Sequence, residues 1–92
     1  MCLCGMLAAE YGTLPEPMRA EMRHYFDANE RWLTGVLRQG KRERVLSFSG
    51  SPAEVAQALV GSLEGAMMMA RSYGDPKRFK AMSERVLGEL GA

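Results

Sequence analysis

Histidine occurs once, at His24, and cysteine only twice, at Cys2 and Cys4. A single histidine excludes a His-based triad and any multi-histidine metal site. Two cysteines one residue apart have neither zinc spacing nor a second pair to complete a tetrahedral set. They read instead as small buried hydrophobes of a chain kept in a reducing, cytoplasmic compartment. Neither sign of charge predominates. Twelve basic residues against eleven acidic ones leave a net charge of +1, so the broad positive face that nucleic-acid binding requires is absent, and only the stretch from Arg38 to Arg44 is locally basic. No apolar run approaches the roughly 20 residues that span a bilayer, and the first dozen residues carry no basic leader. There is no glycine-rich phosphate loop and no acid–base pair at local spacing, so the expectation is a soluble protein that is not an enzyme and takes no metal or other cofactor.

What is present is helix-forming material. Hydrophobic residues make up 47% of the 92-residue chain and are mostly alanine, leucine and methionine, which points to an all-α fold in one domain over residues 1–92. A domain of this size buries only about two-thirds of the surface its unfolded chain exposes, so its stability margin is thin.

Start and stop signals divide the chain into four helices. The first covers residues 2 to about 13 and is closed by Gly12 and by the Leu14-Pro15-Glu16-Pro17 break, since proline pushes the preceding residue out of helical dihedrals. The second starts at Pro17 and ends near Gly40. Its apolar residues Met18, Met22, Tyr25, Phe26, Trp32, Leu33, Val36 and Leu37 fill an arc of roughly 140° at about 100° per residue. Lys41-Arg42-Glu43-Arg44 and the alternating Val45-Leu46-Ser47-Phe48-Ser49 form a connector. Ser51-Pro52-Ala53-Glu54 is a capping box that opens the third helix, which ends near Tyr73. Gly74-Asp75-Pro76 is a stop, a cap and a first-turn proline for the fourth.

The third helix has two usable faces. Val55, Ala56, Leu59, Leu63, Ala66, Met67 and Ala70 form a continuous apolar stripe, while Gln57, Gly61, Glu64 and Met68 lie opposite, where Gly61 and Gly65 leave room for another helix or a ligand. Such a helix sits between two layers, either in the core of a monomeric bundle or at an interface. The tight turn makes the last two helices an antiparallel hairpin that can pair with its own copy as an intermolecular four-helix bundle. Leu59, Leu63, Ala66, Met67 and Ala70 of the third helix and Phe79, Met82, Val86 and Leu90 of the fourth are its candidate homodimer contacts.

A ligand cavity, if present, is expected between the first three helices. Asn29 lies near the middle of the apolar arc and is either an anchor for a bound molecule or a core amide bonded to a neighbour. Tyr25 and Trp32, at the margin of that arc, are amphipathic rings that suit a small-molecule site or plain packing. Glu64 is placed to meet a cationic group or to stand solvated. Met68 offers adaptable apolar surface, although three consecutive methionines spread round a helix and cannot all share one pocket.

The segments CLCGMLAAEYGTLPEPMRAEM, WLTGVLRQGKRERVL and SPAEVAQALVGSLEGAMMMARSYGDPKRF together resemble the C-terminal regulatory region of TetR-type transcriptional repressors. The resemblance runs along essentially the whole chain, through a helix closing in a basic connector, the Ser-Pro-Ala-Glu restart and the Leu-Glu-Gly-Ala run before Gly-Asp-Pro. It implies a repressor that dimerises through its last two helices, binds a small apolar or amphipathic effector among the first three, and contacts DNA only through an N-terminal helix-turn-helix not found in these residues. A stand-alone helical protein–protein interaction module is the alternative that the residues themselves leave open.

Overall fold

The computed structural model describes residues 2–91. Its helices are α1 (Leu3–Ala9), α2 (Glu16–Arg42), α3 (Pro52–Tyr73) and α4 (Pro76–Gly88), with a single 3-10 turn, Tyr11–Thr13, between the first two, and there is no strand among the described residues.

Helix α1 is shorter than its sequence signals imply. It stops at Ala9, and the residues up to Thr13 tighten into the 3-10 turn, with Thr13 Oγ1 donating back to the Glu10 carbonyl at 2.8 Å. Helix α2 begins one residue before Pro17, because Pro15 caps it in an extended conformation and Glu16 supplies an acidic first turn. Gly40 does not end α2. The helix continues to Arg42, and the reversal falls on Arg44, a non-glycine residue in the left-handed region at φ 60°. Gly40 serves the connector instead. A Cβ there would stand 2.5 Å from Leu46 Cδ1, so its missing side chain lets Leu46 fold back onto α2, while the Val45 and Leu46 N–H groups both donate to the Gly40 carbonyl. Alternation then turns Leu46 and Phe48 inward and leaves Val45 out.

The α3 boundaries are those of the signals. Ser51 Oγ accepts from the Glu54 N–H at 3.2 Å, and among the described residues the glutamate side chain makes no return bond to Ser51. At the other end Gly74 adopts φ 60°, the Gly74 N–H donates to the Arg71 carbonyl, and the Asp75 N–H to that of Ala70. This is a Schellman stop. Asp75 Oδ1 then caps α4 through the Lys77 N–H at 3.0 Å.

Helix α3 packs against both α2 and α4. The core centres on Leu37, Ala56, Leu59 and Leu90, with Leu33, Leu46, Phe48, Val55, Leu63 and Val86 around it. The Ser47 N–H donates to the Leu90 carbonyl at 2.8 Å and so ties the connector to the end of the chain. On α2 the buried strip is narrower than the apolar arc. Met22 and Leu37 are buried and Phe26 and Leu33 half-buried, but Met18, Tyr25, Trp32 and Val36, centred about 80° round the helix, are exposed. Among the described residues no layer covers them.

The resulting shape is a slab of 43 × 31 × 15 Å with a radius of gyration of 14.7 Å, against about 12 Å for a compact domain of this length. Its accessible surface of 6401 Å² exceeds the roughly 5,300 Å² expected of a compact monomer of the same mass.

Candidate functional site

Small residues on two helices open a cavity of about 380 Å³ between α1 and α3, with α2 at its side. Gly5, Ala8 and Ala9 contribute from α1, Gly61 and Gly65 from α3, and Phe26 from α2. Glu64 and Met68 complete the lining. The glycines at 61 and 65 follow one another on the same side of α3, so no side chain of that helix fills the space they leave.

Glu64 brings the only charge into this lining. The Cys2 thiol donates to its Oε1 at 2.9 Å, and Cys2 Sγ in turn accepts from the Gly5 N–H at 3.2 Å, so one cysteine both caps α1 and fastens it to α3. Burial holds the Cys2 thiol above its ordinary range, and the hydrogen bond to Glu64 pushes in the same direction. The thiol is therefore protonated at neutral pH, as a donor to a carboxylate must be. The other oxygen, Oε2, is buried with less than 1 Å² exposed and has no hydrogen-bond partner among the described residues. It lies against Gly5, where a Cβ would stand 2.3 Å away.

Helix α1 is held over the cavity from its far end. Arg23 of α2 donates to the Tyr11 hydroxyl and, at 2.7 Å, to Glu16 Oε1, while Arg19 lies over the Tyr11 ring at 5.4 Å from its centroid. The carboxyl of Glu16 falls below its ordinary value, principally because it accepts this bond from Arg23.

The cavity gathers some of the residues singled out from sequence and leaves others aside. Glu64 and Met68 line it. Asn29 is half-buried, but its Nδ2 donates to the Tyr25 carbonyl one turn back at 2.8 Å, so the amide is satisfied on its own helix. Tyr25 packs edge-on against Phe26 and is 46% exposed; Trp32 is 69% exposed. Neither lines the cavity. Phe26, Gly5, Ala8 and Ala9 take their place. Phe26 belongs to the apolar arc of α2, and a small-residue face on α1 gives no signal until α3 is set against it. The bond from Cys2 to Glu64, spanning 62 positions, had none either.

On the hairpin, Leu59, Ala66, Ala70 and Leu90 are buried within the chain itself, whereas Leu63, Met67, Phe79 and Val86 are half-buried and Met82 is exposed. Two open grooves flank α3 and α4. One, of about 450 Å³, runs between Phe48, Val55 and Val86, and the other, of about 500 Å³, lies between Met67, Ala70 and Phe79 beside the Gly74 turn.

Among the described residues no helix is long and apolar enough to cross a membrane. A family model described as the tetracyclin repressor-like C-terminal domain matches residues 1–86. The chain is also similar to a solved TetR-family transcriptional regulator from Agrobacterium tumefaciens, at 33% sequence identity and a TM-score of 0.93, over 98% of this chain and 47% of that one. It thus spans about half the length of that relative. No curated protein matches the chain.

Proposed function

The chain belongs to the tetracyclin repressor-like C-terminal domain family, and from that premise we propose that it is the effector-sensing and homodimerising region of a cytoplasmic TetR-type transcriptional repressor. In such regulators this region generally binds ligands and dimerises, while an N-terminal domain contacts DNA.

One observation carries the reading: helix α3 is shared by two surfaces. Gly61, Glu64, Gly65 and Met68 line a ligand-sized cavity, and Met67 and Ala70 line an open apolar groove with α4. Interiors are close-packed, so a molecule that moves α3 or α1 from the cavity side is felt at the hairpin. The effector is small and apolar or amphipathic, with Glu64 and Met68 among its contacts. Asn29, Tyr25 and Trp32 stand on the neighbouring face of α2, outside that lining. The dimer forms about α3 and α4, with Met67, Phe79 and Met82 as its uncovered apolar contacts and Leu63 and Val86 beside them. Leu59, Ala66, Ala70 and Leu90 support that surface from beneath.

Sedimentation equilibrium of the 92-residue chain at micromolar concentration tests the assembly. A dimer is expected, together with a folded monomer for Met82→Arg, because Met82 is 40% exposed in the single chain and an arginine there is desolvated only on pairing. A wild-type chain that stays monomeric overturns the dimer.

A further inference from the structure

We propose that the α1–α3 cavity selects a small amphipathic cation, a primary ammonium on a short apolar body, with Glu64 as its anchor. The proposal rests on reading the cavity as the effector site and adds the chemistry of the molecule it takes.

Three features of the cavity converge on this class. Its lining holds one charged group, the carboxylate of Glu64, among Gly5, Gly61, Gly65, Phe26 and Met68. Among the described residues that carboxylate forms no ion pair: those present join Glu16 to Arg19 and to Arg23, on the far side of α1 from its capped end. Only one of its two oxygens is bonded among the described residues, with Oε1 taking the Cys2 thiol and Oε2 buried without a donor there. A buried acceptor left empty is unfavourable in the free protein, and a ligand that supplies a charged donor removes that penalty as it binds. An anionic ligand meets repulsion from the same group, and a neutral apolar one leaves it uncompensated.

Access explains why the oxygen is empty. Gly5 stands directly over Oε2, so a donor reaches it only when α1 lifts or the Glu64 side chain turns inward. Helix α1 has seven residues and is held by the Cys2 contact and by the Tyr11 clasp, a light attachment. Phe26 supplies the one aromatic ring of the lining, a group that attracts cations, and Met68 a polarisable wall to the apolar body. The volume of about 380 Å³ fits a ligand of hexylamine size with room for its immediate hydration.

The test uses methyl-¹³C-methionine labelling of the 92-residue chain, with the Met68 methyl assigned by Met68→Leu, and titrates hexylammonium, hexanol and hexanoate at neutral pH. Hexylammonium is expected to shift the Met68 methyl and to bind at least about tenfold more tightly than hexanol, with hexanoate weakest. Glu64→Gln is expected to abolish the preference for the cation while leaving the hexanol shift in place. If hexanol binds at Met68 as tightly as hexylammonium in the wild-type chain, the cation assignment falls and the cavity stands as an apolar effector site. If none of the three moves the Met68 methyl, the reading of the cavity as an effector site falls, and the assignment with it. The wild-type comparison depends on no variant, so a misfolded Glu64→Gln protein does not blunt it.

Discussion

Cys2 shows how much one side chain can hold in a small fold. It caps α1, fastens it to Glu64, and stays protonated to do so. The pH consequence follows from linkage: a thiol raised in the folded state above its ordinary value of 9.0 favours folding while protonated, and the contribution fades as pH rises through the folded value. Urea stability should therefore fall as pH rises through and beyond the ordinary thiol range in the wild-type chain and fall less steeply in Cys2→Ser, whose hydroxyl does not titrate there. An equal slope in both chains would show that the thiol is not coupled to folding. Gly91 is a second exacting position. It sits at φ 72°, and a Cβ would meet Ser47 Oγ at 2.2 Å and, less movably, the Ser47 carbonyl oxygen at 2.8 Å. Gly91→Ala should cost about 1–3 kcal/mol, read from the urea midpoint, because backbone strain and a backbone clash add where the connector meets the buried Leu90.

At the scale of elements, the helices differ in what holds them. Helices α3 and α4 share a packed seam, whereas α1, though capped by Cys2, touches the rest of the chain through a short contact with α2, the Cys2–Glu64 bond and the Tyr11 clasp. The Tyr11–Arg23–Glu16 clasp is solvent-exposed, so Arg23→Ala should leave the urea midpoint of global unfolding nearly unchanged. Amide exchange across residues 5–13 should nevertheless quicken markedly, because local opening draws on local contacts alone. Unchanged exchange there would mean that Cys2 by itself keeps α1 down.

The whole molecule is thinner than a self-sufficient domain. A 15 Å slab with about 1,100 Å² of surface beyond that of a compact monomer has apolar side chains with nowhere to go, Trp32, Tyr73, Val45 and Leu87 among them. A standard protein interface covers about 800 Å² on each partner, which is of the size of that excess. If pairing covers it, stability is linked to concentration by mass action, and the thermal midpoint should rise by several degrees between 2 and 200 µM chain, as followed by circular dichroism. A midpoint independent of concentration would indicate that the slab is stable uncovered.

Local signals by themselves determined the helix count, the α3 boundaries and the Gly74 turn, because caps, prolines and a left-handed glycine act within a few residues. They overran the end of α1, where the chain tightens into the 3-10 turn Tyr11–Thr13, and put the end of α2 close to where it falls, at Arg42. Periodicity marked α3 as two-faced and singled out Glu64 and Met68, since the face of a helix is a property of sequence. It could not say which of the apolar residues on α2 would be covered, because that depends on where a neighbouring layer ends, and so Asn29, Tyr25 and Trp32 were grouped with a cavity that only Phe26 reaches from that helix. The pairing of Cys2 with Glu64 and the empty carboxylate oxygen beside Gly5 belong to tertiary structure alone: each arises from two helices meeting, and nothing in either helix specifies the meeting.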